Sequence, residues 1–124
     1  MLNQVWLYSG SVFISFWGVA HLFPTRSVVS GFGDISVDNQ HIIAMEWVVE
    51  GIALIFIGSI NAIVTVIDHT SPASQAVYIS SAVVLLVLAV VSFLTGFKVA
   101  FVPFKLCPVI FIISAVLFAI GGLL

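Results

Sequence analysis

The stretch "AVVLLVLAVVSFL", residues 82–94, carries no charge, and its apolar positions run on without alternating with polar ones. A transmembrane β-strand would switch between lipid and lumen at every residue, so this pattern reads as a helix buried in oil. Outward from it, the uncharged segment reaches back to Asp68 and forward to Lys98, which leaves room for the roughly 20 residues that cross a bilayer core. Two more segments of that kind flank it, one between Met1 and Arg26 and one after Lys105, and a fourth from Gln40 to Ile67 is interrupted only by Glu46 and Glu50. With 62% hydrophobic and 6% charged residues and a mean hydropathy of +1.33, the chain lies far from the soluble norm of roughly 25% charged. The expected fold is all-α: an integral membrane four-helix bundle forming a single transmembrane domain over residues 1–124.

Local chemistry sets the expected boundaries at about 3–23, 39–67, 72–96 and 103–123. Pro24 in "HLFPT" cannot continue the first helix and restricts the residue before it. The stretch "TRSVVSGFGDISVDNQ" then reads as a long loop, with glycines for turns and Asp38 among the candidate caps of the second helix. In "DHTSPAS", Ser71 followed by Pro72 is an N-cap with proline at the first helical position. "GFKVAFVPFK" forms the last turn, and Pro103 opens the final helix.

Arg26, Lys98 and Lys105 are the only basic residues, and with four spans they all fall on one side. The positive-inside rule sends that side to the cytoplasm, which puts both termini outside and suits a bacterial cytoplasmic membrane. A cleaved signal peptide is not expected, because the N-terminus lacks a basic region. So few cations exclude nucleic-acid binding, and Cys107, the single cysteine, excludes an internal disulfide or a cysteine-based metal cluster. The residue pattern names no cofactor.

The stretch "HIIAMEWVVEG", residues 41–51, is the chemical anomaly of the chain. At 100° per residue, Glu46 lies about 40° and Asn61 about 20° from the direction of Glu50, with Asp68 almost in line. One face of the second span is therefore polar, and Ile43, Ile52 and Phe56 occupy the opposite one. On the first span Gln4, Ser11, Ser15, Gly18 and His21 gather within about 120° of arc, bordered by Tyr8. Glu50 is expected about 18 Å into its helix, near the middle of a core about 30 Å thick. An acid at that depth costs on the order of 2–3 kcal/mol on insertion scales, so it must face the bundle interior and be paired, protonated or wet.

These faces define the expected ligand-binding set: Glu46, Glu50, His21, Ser15, Ser11, Tyr8 and Asn61, along a seam between the first two spans. The ligand types it suits are a proton, a cation or an amphiphilic small molecule. An architectural role competes with it, in which the carboxyl simply bonds Ser11, Ser15 or Tyr8 and sets helix register, a contact worth about 0.6 kcal/mol. As metal ligands, His21, His41 and Glu46 have acceptable chemistry. They lack the paired Glu-x-x-His motifs of carboxylate-bridged metal bundles, so a metal-dependent enzyme is the lesser alternative. Trp6, Trp47 and Tyr78 read as interfacial anchors.

On the fourth span Phe104, Phe111 and Phe118 recur every seven residues, and Cys107, Ser114 and Gly121 follow the same period three positions later. That alternation of bulky and small residues is a packing edge for a neighbouring helix, a second copy or a larger membrane complex. The lipid bilayer is the one partner that composition demands.

"GSVFISFWGVAHLFPT" followed by "MEWVVEGIALIFIG" resembles the first two helices of small bacterial four-helix membrane proteins of the DoxX-like kind. The resemblance covers about half the chain. It implies a small four-helix bundle; some relatives are similar to non-catalytic accessory subunits of membrane redox complexes, many have no known activity, and no catalytic residue is carried over.

Overall fold

The computed structural model of the chain describes all residues from 1 to 124. Four long helices, α1 (Leu2–Leu22), α3 (Val37–Asp68), α4 (Pro72–Leu94) and α5 (Val102–Leu123), are joined by a short helix α2 (Thr25–Ser30) and a 3-10 turn over Gly96–Lys98. All four long helices are apolar and long enough to cross a membrane. The protein is an all-α bundle and a multi-pass membrane protein.

Start signals in the sequence act where they stand. Ser36 accepts a bond from the Asn39 backbone N–H (3.1 Å) and Ser71 from that of Ser74 (3.1 Å), so each serine satisfies a donor left free at a helix start. Replacing Ser71 with alanine removes that bond. The variant is expected to lose about 1 kcal/mol, read as a lower midpoint in a detergent unfolding titration, whereas a full return of stability in Ser71→Asp would tie the loss to capping.

The expected 25–38 loop is partly helical. Thr25 Oγ1 donates to the Leu22 carbonyl (2.6 Å), which closes α1, and after Pro24 no breaker stands before Gly31, so one and a half turns form. Gly31 and Gly33 then turn the chain, Gly33 with φ +74°, a conformation costly for other residues. The third span stops at Leu94, short of the expected 96, because the chain tightens into the 3-10 turn.

Around the bundle α1 lies between α3 and α5, and α4 between α5 and α3, with α3 and α4 packing least closely. The α1–α3 seam is a contact of small residues: a methyl built on Gly18 would stand 2.8 Å from the Gly51 carbonyl oxygen, and one on Gly58 would stand 2.6 Å from that of Ser11. In lipid, helices associate through such close approaches, because there is no water to drive apolar surfaces together.

The heptad edge of the fourth span is turned inward. Phe111, Phe118, Ser114 and Gly121 are all buried inside the chain, with Phe118 filling the space over Gly10 and Leu7 that over Gly121. It is therefore the internal packing face of α5 and not an outward edge for a second copy or a larger complex. The outward faces carry residues such as Val83, Val87, Ile112 and Val116, which suit contact with acyl chains.

Candidate functional site

Polar groups collect at two levels of the bundle. One level is set by α3 and α4: Asn61 Nδ2 donates to the Ser81 hydroxyl (2.8 Å) and to the Ile57 carbonyl (2.7 Å). Thr65 Oγ1 donates to the Asn61 carbonyl (2.6 Å), which leaves the Tyr78 hydroxyl as donor to Thr65 Oγ1 (2.8 Å). These groups are buried and clamp the two helices that otherwise pack least. Tyr78, expected at an interface, is thus a fully buried member of the core.

The second level lies where α1 ends. His21 is buried, with its side chain only 4% exposed, and its Nε2 stands 3.4 Å from Glu50 Oε2. Trp47 covers the imidazole, with ring centroids 3.8 Å apart and planes within 16° of parallel, and its indole N–H donates to the His21 carbonyl (2.6 Å). One residue therefore orients the imidazole and also satisfies a terminal carbonyl of α1, a group that has no partner within its own helix. Phe104 leans on the outer side of Trp47, ring to ring at 5.5 Å.

This arrangement forms one end of a cavity of about 330 Å³. Trp17, His21 and Pro24 contribute from the α1 end, and Trp47 and Glu50 from α3. Ser92 and Thr95 close the α4 side, while Phe101, Phe104 and Cys107 close the α5 side. Phe101 and Phe104 also wall a second hollow of about 470 Å³ beneath α2, lined by Val28, Phe32 and Val99. The indole N–H of Trp17 and the Nε2 of His21 are buried without a hydrogen-bond partner; the His21–Glu50 pair is close but not aligned as a bond.

Electrostatically the cavity has one carboxyl and no cation in its wall. Lys105 is turned away, donating to the Phe97 carbonyl (2.7 Å) with its ammonium 4.8 Å from the centre of the Phe97 ring. Arg26 lines a separate open groove with Asp34 and His41.

Several expectations about the site are corrected. The buried ionisable side chain is His21; Glu50 is 42% exposed at the cavity wall. Nor does Glu50 mark mid-depth: Gly51 packs on Leu22, so Glu50 stands level with the last turn of α1, and the first turns of the 32-residue α3 project past the end of that helix. The residue nearer the middle is Asn61, about 16 Å further along α3 and far from the cavity. Glu46 and His41 are exposed and do not join His21, and no three His, Cys, Asp or Glu side chains gather in metal-binding geometry. Ser11 donates to the Leu7 carbonyl within its own helix (2.9 Å), Ser15 packs on Gly58, and Tyr8 is partly exposed on the outside.

Trp17, Trp47, Phe101, Phe104 and Cys107 are among the lining residues not singled out as site residues from the sequence. The signal available was helical spacing, since Trp17 stands one turn before His21 and Trp47 one turn before Glu50. Comparison with protein-family models, with curated proteins and with solved structures gives no match.

Proposed function

We propose that the protein binds an amphiphilic small molecule inside the membrane, with the polar head at Glu50 and His21 and the apolar body among Trp17, Trp47 and Phe104. The observation that carries this reading is the cavity itself. Its volume of about 330 Å³ falls at the lower end of ligand pockets, roughly 300–1,000 Å³, and an apolar lining with a few convergent polar groups is their usual make-up. The unpartnered Nε2 of His21 is further support, because a buried polar group without a partner costs about 1–3 kcal/mol, and a bound head group would relieve it.

Arg26, Lys98 and Lys105 all lie at the cavity's end of the bundle. By the positive-inside rule this end is cytoplasmic and both chain ends are outside, in a bacterial cytoplasmic membrane. The two stretches that resemble DoxX-like proteins contain His21, Trp47 and Glu50 as well as the glycines of the α1–α3 seam, so kinship of that kind would extend to the site.

The test is saturable binding to nanodisc-reconstituted protein, measured above empty nanodiscs, with three naphthalene probes bearing a dimethylammonium, a neutral isopropyl or a carboxylate head. At least one probe is expected to bind saturably and to slow alkylation of Cys107, and Trp17→Ala is expected to weaken it about tenfold, or about 1.4 kcal/mol. Absence of saturable binding by all three probes refutes the reading.

A further inference from the structure

Resting on that binding site, we propose that its ligand is a hydrophobic organic cation: a protonated amine on an aromatic or alicyclic body, with the ammonium held between Glu50 Oε2 and His21 Nε2.

Charge in the wall is the first ground. Glu50 is the only acid lining the cavity, no lysine or arginine joins it, and Lys105 is engaged with Phe97. An anionic head would meet a carboxylate with nothing to offset it. A neutral head would offer the carboxyl no counter-charge. A cationic head supplies the missing charge.

Acceptor geometry is the second ground. The imidazole of His21 is buried and fixed by the Trp47 stack, its Nε2 has no hydrogen-bond partner, and it stands 3.4 Å from Glu50 Oε2. In the neutral imidazole with the proton on Nδ1, Nε2 is an acceptor. An ammonium N–H then goes to the ring nitrogen while its positive charge lies beside the carboxylate, so the unpartnered Nε2 gains a donor.

The aromatic wall is the third. Trp17, Phe101 and Phe104 line the remaining volume, the faces of Trp47 being taken by His21 and Phe104. The faces of such rings carry negative charge density that attracts a cation, with tryptophan the strongest. The same faces take the apolar body. Aromatic walls alone would accept any oily molecule; the single uncompensated carboxyl among them selects by sign.

The three naphthalene probes separate this inference from the broader reading. On the wild-type protein, the ammonium probe is expected to bind at least tenfold more tightly than the isosteric isopropyl probe, and the carboxylate probe more weakly than either. Glu50→Gln is expected to remove that tenfold preference while leaving the isopropyl probe within threefold of its wild-type affinity. If the isopropyl or carboxylate probe binds wild type as tightly as the ammonium probe, the cation assignment is wrong and the binding site stands. If no probe binds, both fall. The wild-type comparison needs no variant, so a poorly folding Glu50→Gln leaves the question decided.

Discussion

Gly58→Val is expected to cost about 3 kcal/mol or more and to abolish a cooperative unfolding transition in mild detergent. The new Cβ would meet the Ser15 hydroxyl and the backbone carbonyl of Ser11 at 2.6 Å. A flexible side-chain tip can turn aside, but a helix backbone cannot yield without moving the helix. Overpacking of this kind typically costs 1–3 kcal/mol, and a β-branched residue against backbone lies at the top of that range or beyond. The consequence also reaches the site, because α1 and α3 together carry His21, Trp47 and Glu50. Ser15→Ala added to Gly58→Ala removes the side-chain overlap and leaves the carbonyl one, so that pair should recover stability only in part relative to Gly58→Ala alone. Val83→Ile, on an outward face, should change little. Titration with a denaturing detergent, followed by tryptophan emission, reads all of them; a Gly58→Val protein as stable as wild type would mean that the helices do not approach at that point.

Trp47→Ala is expected to cost about 2–3 kcal/mol and to weaken probe binding more than tenfold. Three contacts vanish together: the stack on His21 at 3.8 Å, the 2.6 Å bond to the His21 carbonyl and the 5.5 Å contact with Phe104. Large-to-small changes at aromatic positions reach about 3–5 kcal/mol in soluble cores. The lower figure applies here because lipid and cavity already surround part of the ring and no water-driven burial is lost. Trp47→Phe separates the parts. It keeps a ring over the imidazole and loses the N–H donor, so its expected loss is about 1 kcal/mol, that of a single hydrogen bond. Equal stability of Trp47→Ala and wild type would show that the indole does not hold the end of α1.

Much of the fold is legible in single residues. The uncharged runs before Arg26, between Asp68 and Lys98 and after Lys105 announce spans by length alone, and the Ser71–Pro72 pair marks the start of α4 without reference to any neighbour. Helix α2 is less legible, since Thr, Ser and Val in "TRSVVS" are weak helix formers and only Arg26 is a strong one. The phenylalanine heptad of α5 is visible as an edge, but its direction is not: Gly10 opposite Phe118 and Leu7 over Gly121 turn it inward. Depth misled at Glu50, because counting from the helix start assumes that all spans begin at one level, and α3 starts well beyond the end of α1.

By itself the sequence determined that this chain lives in a membrane as four apolar helices, since span length and the absence of charge are properties of consecutive residues and depend on nothing distant. It also marked His21, Glu46 and Glu50 as out of place in oil. Tertiary structure alone decided that His21 and not Glu46 lies beside Glu50, that Asn61 clamps α3 to α4 instead of serving the cavity, and that rings from α1, α3 and α5 close around one carboxyl. Those outcomes depend on the axial offset and rotation between helices. Both are set by where one backbone can approach another, at Gly18, Gly51 and Gly58, and a helix read alone does not contain its partner's surface.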